Sequence, residues 1–234
     1  MHPLLHLLSN MIVRKALVAI TGVIMLLFVI GHLIGNLTVL SGPNAINAYA
    51  KLLQSLGPLL WMTRAFMLTV LIIHITFAVL VTLENWKSKF GRYAVTRKKT
   101  TTIAGETMIW SGAVLLVFII FHILQFTLHI TPDVVVQTDE QGRMDVFTMM
   151  QESFRLIPIS AVYLISVGAL FLHLLHGIQS VSQTVGLLNE KTKPFFNLAG
   201  LGLSALLLFG LGSIPLLMFT DILSIFLKFG GGAK

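Results

Sequence analysis

Histidines are the residues of this sequence with the clearest capacity for chemistry. Eight are present, and five of them fall within long apolar segments: His32, His74, His122, His173 and His176. An ionisable side chain in the hydrocarbon core of a membrane is costly, so each of these five needs a polar partner or a function. Imidazole nitrogens can ligate haem iron or zinc, and imidazoles also form hydrogen bonds between helices.

Four of these histidines form two pairs, and the two members of each pair lie at similar depths in the segments that carry them. His32 and His122 lie 18 and 16 residues beyond the charged residues that open their segments, or about 27 and 24 Å of helix. His74 and His173 each lie 13 residues before the following loop, or about 20 Å or less. Two histidines at one depth on different helices can fill both axial positions of a haem iron. The pattern therefore predicts two b-type haems, an outer one on His32/His122 and an inner one on His74/His173.

The remaining histidines leave alternatives open. His173 and His176 compete for the fourth position, because they are three residues apart and differ by about 60° around one helix. The histidine that is not a ligand could hydrogen-bond a haem propionate or a quinone. His129 is predicted to be a polar residue at the outer mouth, and His2 and His6 are predicted to be solvated.

Two simpler interpretations apply to the same residues. Any one of the membrane histidines could be a hydrogen-bonding residue between helices. Zinc would require three or four ligands at one depth, and no acidic residue lies in the middle of a segment. The small residues Gly31, Gly35 and Gly177 beside the histidines would admit either a macrocycle or a neighbouring helix.

Five apolar segments must position these side chains in the 234-residue chain. They cover residues 15–40, 61–83, 103–130, 157–188 and 198–227. Each is long enough to cross the ~30 Å hydrocarbon core, where only a helix satisfies its own backbone groups. Charged residues make up 11% of the chain, against about 25% in soluble domains. We expect one all-α integral membrane domain over residues 1–234, with the first four helices forming a haem-binding bundle and no evident repeat.

The composition also excludes several kinds of chemistry. Cysteine is absent, which excludes disulfides, iron–sulfur ligation and a covalent c-type haem in this chain. The first apolar segment is too long for the hydrophobic region of a cleavable signal peptide, so we expect it to be retained as a span.

The loops predict an orientation in the membrane. If the spans alternate, one side collects ten of the 16 basic residues and three of the nine acids, and the other side holds six of each. This asymmetry predicts a cytoplasmic N-terminus and an external C-terminus, and it explains the net charge of +7 without nucleic acid. The same basic loops could dock a soluble subunit of complementary charge. On the outer side, residues 44–56 predict an amphipathic helix and residues 134–147 a β-hairpin.

The histidine motifs resemble the dihaem cytochrome b subunit of succinate dehydrogenase and fumarate reductase, in its single-chain, five-span type. The likeness covers nearly the whole chain and lies in the order and spacing of short motifs. These are Gly31-His32-Leu33 with Asn36, Ile73-His74, Phe121-His122-Ile123 and Leu172-His173 with Gly177, and Arg14-Lys15 and Thr21-Gly22 at the first span also fit.

This resemblance implies a function, cofactors and partners. The haem ligands would be His32, His74, His122 and His173, while His176 would not be a ligand. The chain would be a non-catalytic anchor for a flavoprotein subunit with covalent FAD and an iron–sulfur subunit, both on the cytoplasmic face of a prokaryotic cytoplasmic (inner) membrane. Electrons would pass through two haems b between succinate or fumarate and a quinone, commonly menaquinone.

One departure from the family bears on direction. Some fumarate reductases of this type carry a proton-transferring Glu two residues before the fourth-span ligand, where this chain has Phe171. The loop between the first two spans also lacks Asp and Glu. These differences favour succinate oxidation, or a fumarate reductase with other proton routes. The alternatives are the dihaem cytochrome b subunit of a hydrogenase or formate dehydrogenase, and, from another class, a small membrane transporter.

Overall fold

The computed structural model describes residues 10–90 and 107–230, and side chains over 10–87 and 107–228. Predictions that fall on other residues, including His2, His6 and the start of the third predicted span, lie outside the described residues. The helices are α1 (Met11–Leu37), α2 (Pro43–Ser55), α3 (Pro58–Phe90), α4 (Met108–Phe126), α5 (Val146–Arg155), α6 (Ile157–Thr184), α7 (Lys193–Phe219) and α8 (Ile222–Gly230).

Five of these helices are long and apolar enough to cross a membrane. They are α1, α3, α4, α6 and α7, and the spanning stretches number 19 to 31 residues. Large apolar side chains on their surfaces stay exposed, as for Phe209 at 74%, Trp110 at 72% and Leu198 at 71%. Such a surface suits lipid and not water. The chain is therefore an all-α protein with the character of a multi-pass membrane protein, as the sequence predicts.

The fifth predicted span, 198–227, is interrupted in the structure. Helix α7 begins earlier, with Pro194 in its first turn, and ends at Phe219. Asp221 then adopts a left-handed conformation with φ 55°, which ends the helix and starts α8 in a new direction. Pro215 lies buried inside α7 without breaking it.

The predicted β-hairpin at 134–147 is wrong in its second half. The described residues there form a single antiparallel bridge, between Thr138 and Met144, around a turn at Gly142. The chain then becomes helical at Val146, because the Asp145 carboxylate accepts a hydrogen bond from the Thr148 backbone N–H at 3.1 Å. An N-cap at this position ends the extended backbone and starts α5.

The long helices pack as two helical hairpins with α7 against them. Helix α1 packs on α3, α4 packs on α6, and α6 joins the two hairpins through α1 and also packs extensively on α7. Leu33 of α1 lies directly over Gly210 of α7, where an added Cβ would come within 2.8 Å of it. A larger residue at 210 would force the Leu33 side chain to move, so the glycine allows α7 to pack closely against the first hairpin.

The two ends of the bundle differ in composition. At one end, here called the basic end, Arg14 at the start of α1 forms an ion pair with Glu84 near the end of α3. The other end, here called the cap end, is covered by α2, α5 and α8, whose side chains form a buried apolar cluster including Ile46, Phe147, Phe154 and Leu223. The predicted amphipathic helix at 44–56 corresponds to α2.

A buried amide fastens the cap. Asn47 of α2 is 1% exposed. Its side chain donates to Asp139 at 3.3 Å and to Asp145 at 3.1 Å, and it accepts from the Phe147 backbone N–H at 3.1 Å. These bonds join α2 to the loop before α5 and to the first turn of α5.

Candidate functional site

The structure places His32 of α1 and His122 of α4 next to each other near the cap end. Their ring centroids are 5.7 Å apart and the ring planes lie at 87°. Two imidazoles on opposite sides of one metal ion would have centroids about 6 Å apart, given metal–nitrogen bonds of about 2 Å. The observed separation is therefore close to what axial ligation by this cap-end pair requires.

The hydrogen bonds of His122 define which of its nitrogens is available. Its Nδ1 lies 2.9 Å from the Tyr163 hydroxyl of α6. That hydroxyl donates its single proton to Gln125 Oε1 at 2.7 Å, so the Tyr163 oxygen must accept from the histidine. His122 consequently carries its proton on Nδ1 and keeps the Nε2 lone pair free for a ligand bond.

An acidic residue at the surface fixes the direction of this chain of hydrogen bonds. Gln125, fully buried, donates through Nε2 to Asp133 Oδ2 at 2.5 Å. Burial alone would raise the pKa of Asp133, but side-chain hydrogen bonds, the largest from Gln125, hold that pKa below its usual value. A carboxylate can only accept, which orients the Gln125 amide and hence the Tyr163 hydroxyl. The tautomer of His122 thus follows from an anionic Asp133.

Aromatic rings enclose the same histidine. Phe118, Phe126 and Tyr163 lie within 5.7–5.9 Å of the His122 ring, centroid to centroid. Phe28 stacks on His32 at 5.7 Å. These rings pack against the cap-end pair and restrict the orientation of both imidazoles.

The second pair, His74 of α3 and His173 of α6, lies towards the basic end. The Nδ1 atom of His74 lies 3.0 Å from the Thr21 hydroxyl of α1, and that of His173 lies 3.2 Å from the Ser111 hydroxyl of α4. Each ring of this basic-end pair is therefore anchored to the helix that it packs against within its own hairpin.

The remaining histidines occupy different surroundings. His176 lies one turn beyond His173 in α6, and its Nδ1 is buried without a hydrogen-bond partner. His129 follows the end of α4 in a left-handed conformation with φ 54°. Its place after the helix agrees with a position at the mouth of the bundle.

The glycines beside the histidines have separate uses. Gly35 is needed for packing, because a Cβ there would lie 2.6 Å from Tyr49 Cζ of α2. A Cβ at Gly31 would meet nothing within 4 Å. Of the two predicted uses, Gly35 serves helix packing and Gly31 leaves open space next to His32.

The residues present fit a bis-histidine haem better than a zinc ion. Within the described residues, no group of three or more His, Cys, Asp or Glu side chains could hold a metal ion, whereas a haem iron needs only two protein ligands. The helices that carry facing histidines, α1 with α4 and α3 with α6, are not closely packed on each other in the described part of the chain. The imidazoles are half-buried, so a macrocycle could reach them between the two hairpins.

Sequence reasoning missed the residues that orient these rings. Tyr163 contacts His122 from another helix, and Gln125 acts on His122 only through its hydrogen bond with Tyr163, so the sequence does not mark either role. Ser111 could have been found, because Ser111-Gly112 precedes His122 at the same spacing as Thr21-Gly22 precedes His32.

The chain matches no family model, no curated protein and no solved structure. The likeness to dihaem cytochrome b subunits therefore rests on the histidine motifs, their order and their spacing.

Proposed function

We propose that the chain is the dihaem cytochrome b subunit that anchors a succinate:quinone oxidoreductase, a succinate dehydrogenase or fumarate reductase, in the cytoplasmic membrane of a prokaryote. The observation that carries the proposal is the approach of His32 and His122, with ring centroids 5.7 Å apart on two different spanning helices. A second histidine pair on the two other helices of the bundle supports it.

The chain's own residues would hold the two cofactors and keep water away. His32 and His122 would ligate one haem b, and His74 and His173 the other. When bound, the haems supply one-electron transfer between the soluble subunits and a membrane quinone. Tyr163 orients His122, and the aromatic rings around it keep the pair dry. With two histidines as ligands to each iron, the sites would carry electrons without binding O₂.

The partners are proposed for the basic end. Arg14, Lys15, Lys87, Lys191 and Lys193 lie at the helix ends there. An excess of basic residues marks the cytoplasmic side of a membrane protein, and it also suits docking of a subunit with an acidic surface. We place the iron–sulfur subunit and the flavoprotein with covalent FAD against this end. The quinone, menaquinone in many relatives, is assigned from the family resemblance.

The test is to purify the native complex through a tag on this chain. We expect a flavoprotein and an iron–sulfur subunit to co-purify, and succinate to reduce haem b in the complex. Reduction by hydrogen or formate instead, with the corresponding catalytic subunits, would assign the chain to a hydrogenase or formate dehydrogenase. A chain purified without haem or partners would contradict the proposal and favour a transporter.

A further inference from the structure

The two hairpins repeat one arrangement of residues. In α1, Thr21-Gly22 is followed by His32 ten residues after the glycine, and in α4 Ser111-Gly112 is followed by His122 at the same distance. In each hairpin a short cap helix, α2 or α5, leads to the second long helix. That second helix carries the basic-end histidine. The internal repeat that was not evident from the sequence is therefore present in the structure.

The hydroxyl contacts are equivalent in the two repeats. Thr21 Oγ1 donates to the Leu17 carbonyl of its own helix at 2.6 Å, and Ser111 Oγ donates to the Met108 carbonyl at 3.0 Å. Each hydroxyl has one proton. Since that proton is used within the helix, the oxygen accepts from the histidine Nδ1–H, at 3.0 Å for His74 and 3.2 Å for His173.

The glycines that follow the two hydroxyl residues lie against the same two histidine rings. A Cβ added at Gly22 would lie 3.3 Å from His74 Cε1, and one added at Gly112 would lie 3.4 Å from His173 Cε1. Both separations are tight for a carbon–carbon contact, so a side chain would push the imidazole away. The hydroxyl and the neighbouring glycine together fix the position and the rotation of each ring.

We propose that Thr21 and Ser111 are matched positioning residues for the basic-end pair. Together with the Val18 and Met108 carbonyls, to which the same two rings also hydrogen-bond, they hold His74 and His173 as Nδ1–H tautomers, so that both Nε2 atoms are presented as ligands to the space between the hairpins. This inference rests on the proposed function, in which the pair ligates a haem. Hydrogen bonding at Nδ1 raises the basicity of a ligating imidazole, and a more electron-rich ligand favours the oxidised iron. The two hydroxyls therefore lower the midpoint potential of the basic-end haem.

The experiment compares Thr21→Val and Ser111→Ala with the conservative variants Thr21→Ser and Ser111→Thr in the full complex. Redox titration of the haem spectrum and low-temperature EPR of each low-spin centre are measured. We expect Thr21→Val and Ser111→Ala each to make the basic-end haem easier to reduce by about three- to tenfold, or about 30–60 mV. The double variant should shift the potential further in the same direction than either single variant, and the conservative variants should keep the wild-type values.

Matched controls use hydroxyls with the same intrahelical bond but no described histidine contact. Thr69 donates to the Ala65 carbonyl and Ser182 to the Ile178 carbonyl. Thr69→Val and Ser182→Ala should leave both potentials unchanged. An unshifted basic-end potential in Thr21→Val and Ser111→Ala, or an equal shift in the controls, would overturn the inference. A wild-type protein without two haems would instead refute the proposed function, so the two failures are distinguishable.

Discussion

The basic-end pair and the cap-end pair are anchored by different kinds of hydrogen bond. At the basic end, the hydroxyl oxygens of Thr21 and Ser111 accept hydrogen bonds from the histidines. Their O–H groups donate hydrogen bonds to backbone carbonyls of their own helices. At the cap end, His122 bonds to Tyr163, and the chain continues through Gln125 to Asp133 near the surface. Each histidine of the basic-end pair is thus held by a single hydroxyl of the neighbouring helix, whereas His122 of the cap-end pair is held by a chain of hydrogen bonds that reaches Asp133.

The strongest way to separate the two pairs is to remove a histidine from one of them. We expect His173→Ala to reduce the haem content from two to one per chain with loss of the basic-end centre, because a buried iron loses one of its two protein ligands. The control His176→Ala should retain both haems. Pyridine haemochrome analysis gives the count, and loss of haem in His176→Ala with retention in His173→Ala would move the ligand to His176.

Interrupting the series of hydrogen bonds at the cap end should lower the stability of the protein. Gln125→Leu removes the acceptor of the Tyr163 O–H and one of the donors to the Asp133 carboxylate, and a buried donor left unsatisfied costs about 1–3 kcal/mol. We expect a lower unfolding temperature together with an altered cap-end haem spectrum.

A second cap glutamine serves as the control for this variant. Gln151 donates to Asp221 and Ser224, away from the histidines. Gln151→Leu should lower stability without changing either haem spectrum. A Gln125→Leu protein with wild-type stability and spectrum would show that the connection has no effect on the pair.

Removing only the hydroxyl next to His122 should have a smaller effect. Tyr163→Phe keeps the ring but removes the acceptor for Nδ1–H, a bond of about 0.5–1.5 kcal/mol. We expect the cap-end potential to rise by about 20–60 mV and the basic-end potential to stay constant in a redox titration. Tyr49→Phe, in a ring that packs on Gly35 of α1, is the matched control. A shift of both centres in Tyr163→Phe would indicate a general structural change.

The smallest expected effect is a loss of stability of the cap end at low pH. Burial alone would raise the pKa of Asp139, but hydrogen bonds from Arg143, Asn47 and Gln141 outweigh it and lower the pKa from 3.8 to about 2. Because the folded-state pKa is depressed, the stabilising contribution is complete above pH 3.8 and is lost as the pH falls through about 2. We expect the cap to loosen over this range, measured as faster amide exchange in α2 and α5 than in α6. Asp139→Asn should reduce this pH dependence and leave the part due to Asp145, whose pKa is also lowered by its hydrogen bonds, and equal acid loosening of α6 would contradict the comparison.

Some parts of the fold can be predicted from the sequence, and others cannot. The five spans follow from composition and length, because lipid permits only self-satisfied helices. The break at Asp221 was missed, since apolar residues continue on both sides of it and a left-handed conformation at an aspartate leaves no strong local signal. The hairpin prediction failed because extended β-branched residues at 134–136 outweighed the capping signal of Asp145.

In the candidate site, too, some features can be predicted from the sequence and others depend on the folded structure. The pairing of the histidines follows from depth, which a helix translates directly from residue number. Ser111 was accessible through the repeated spacing of hydroxyl, glycine and histidine. Tyr163, by contrast, is brought to His122 from another helix by packing of α4 on α6, and its effect on the tautomer depends on Gln125 and Asp133 beyond it. A series of hydrogen bonds in which each group fixes the donor or acceptor role of the next exists only in the folded protein.

The most direct test of the central claim is the number and kind of haems bound by the purified chain. A reduced-minus-oxidised spectrum combined with pyridine haemochrome analysis should give two low-spin haems b per chain, one for each histidine pair. One haem per chain, or none, would contradict the account.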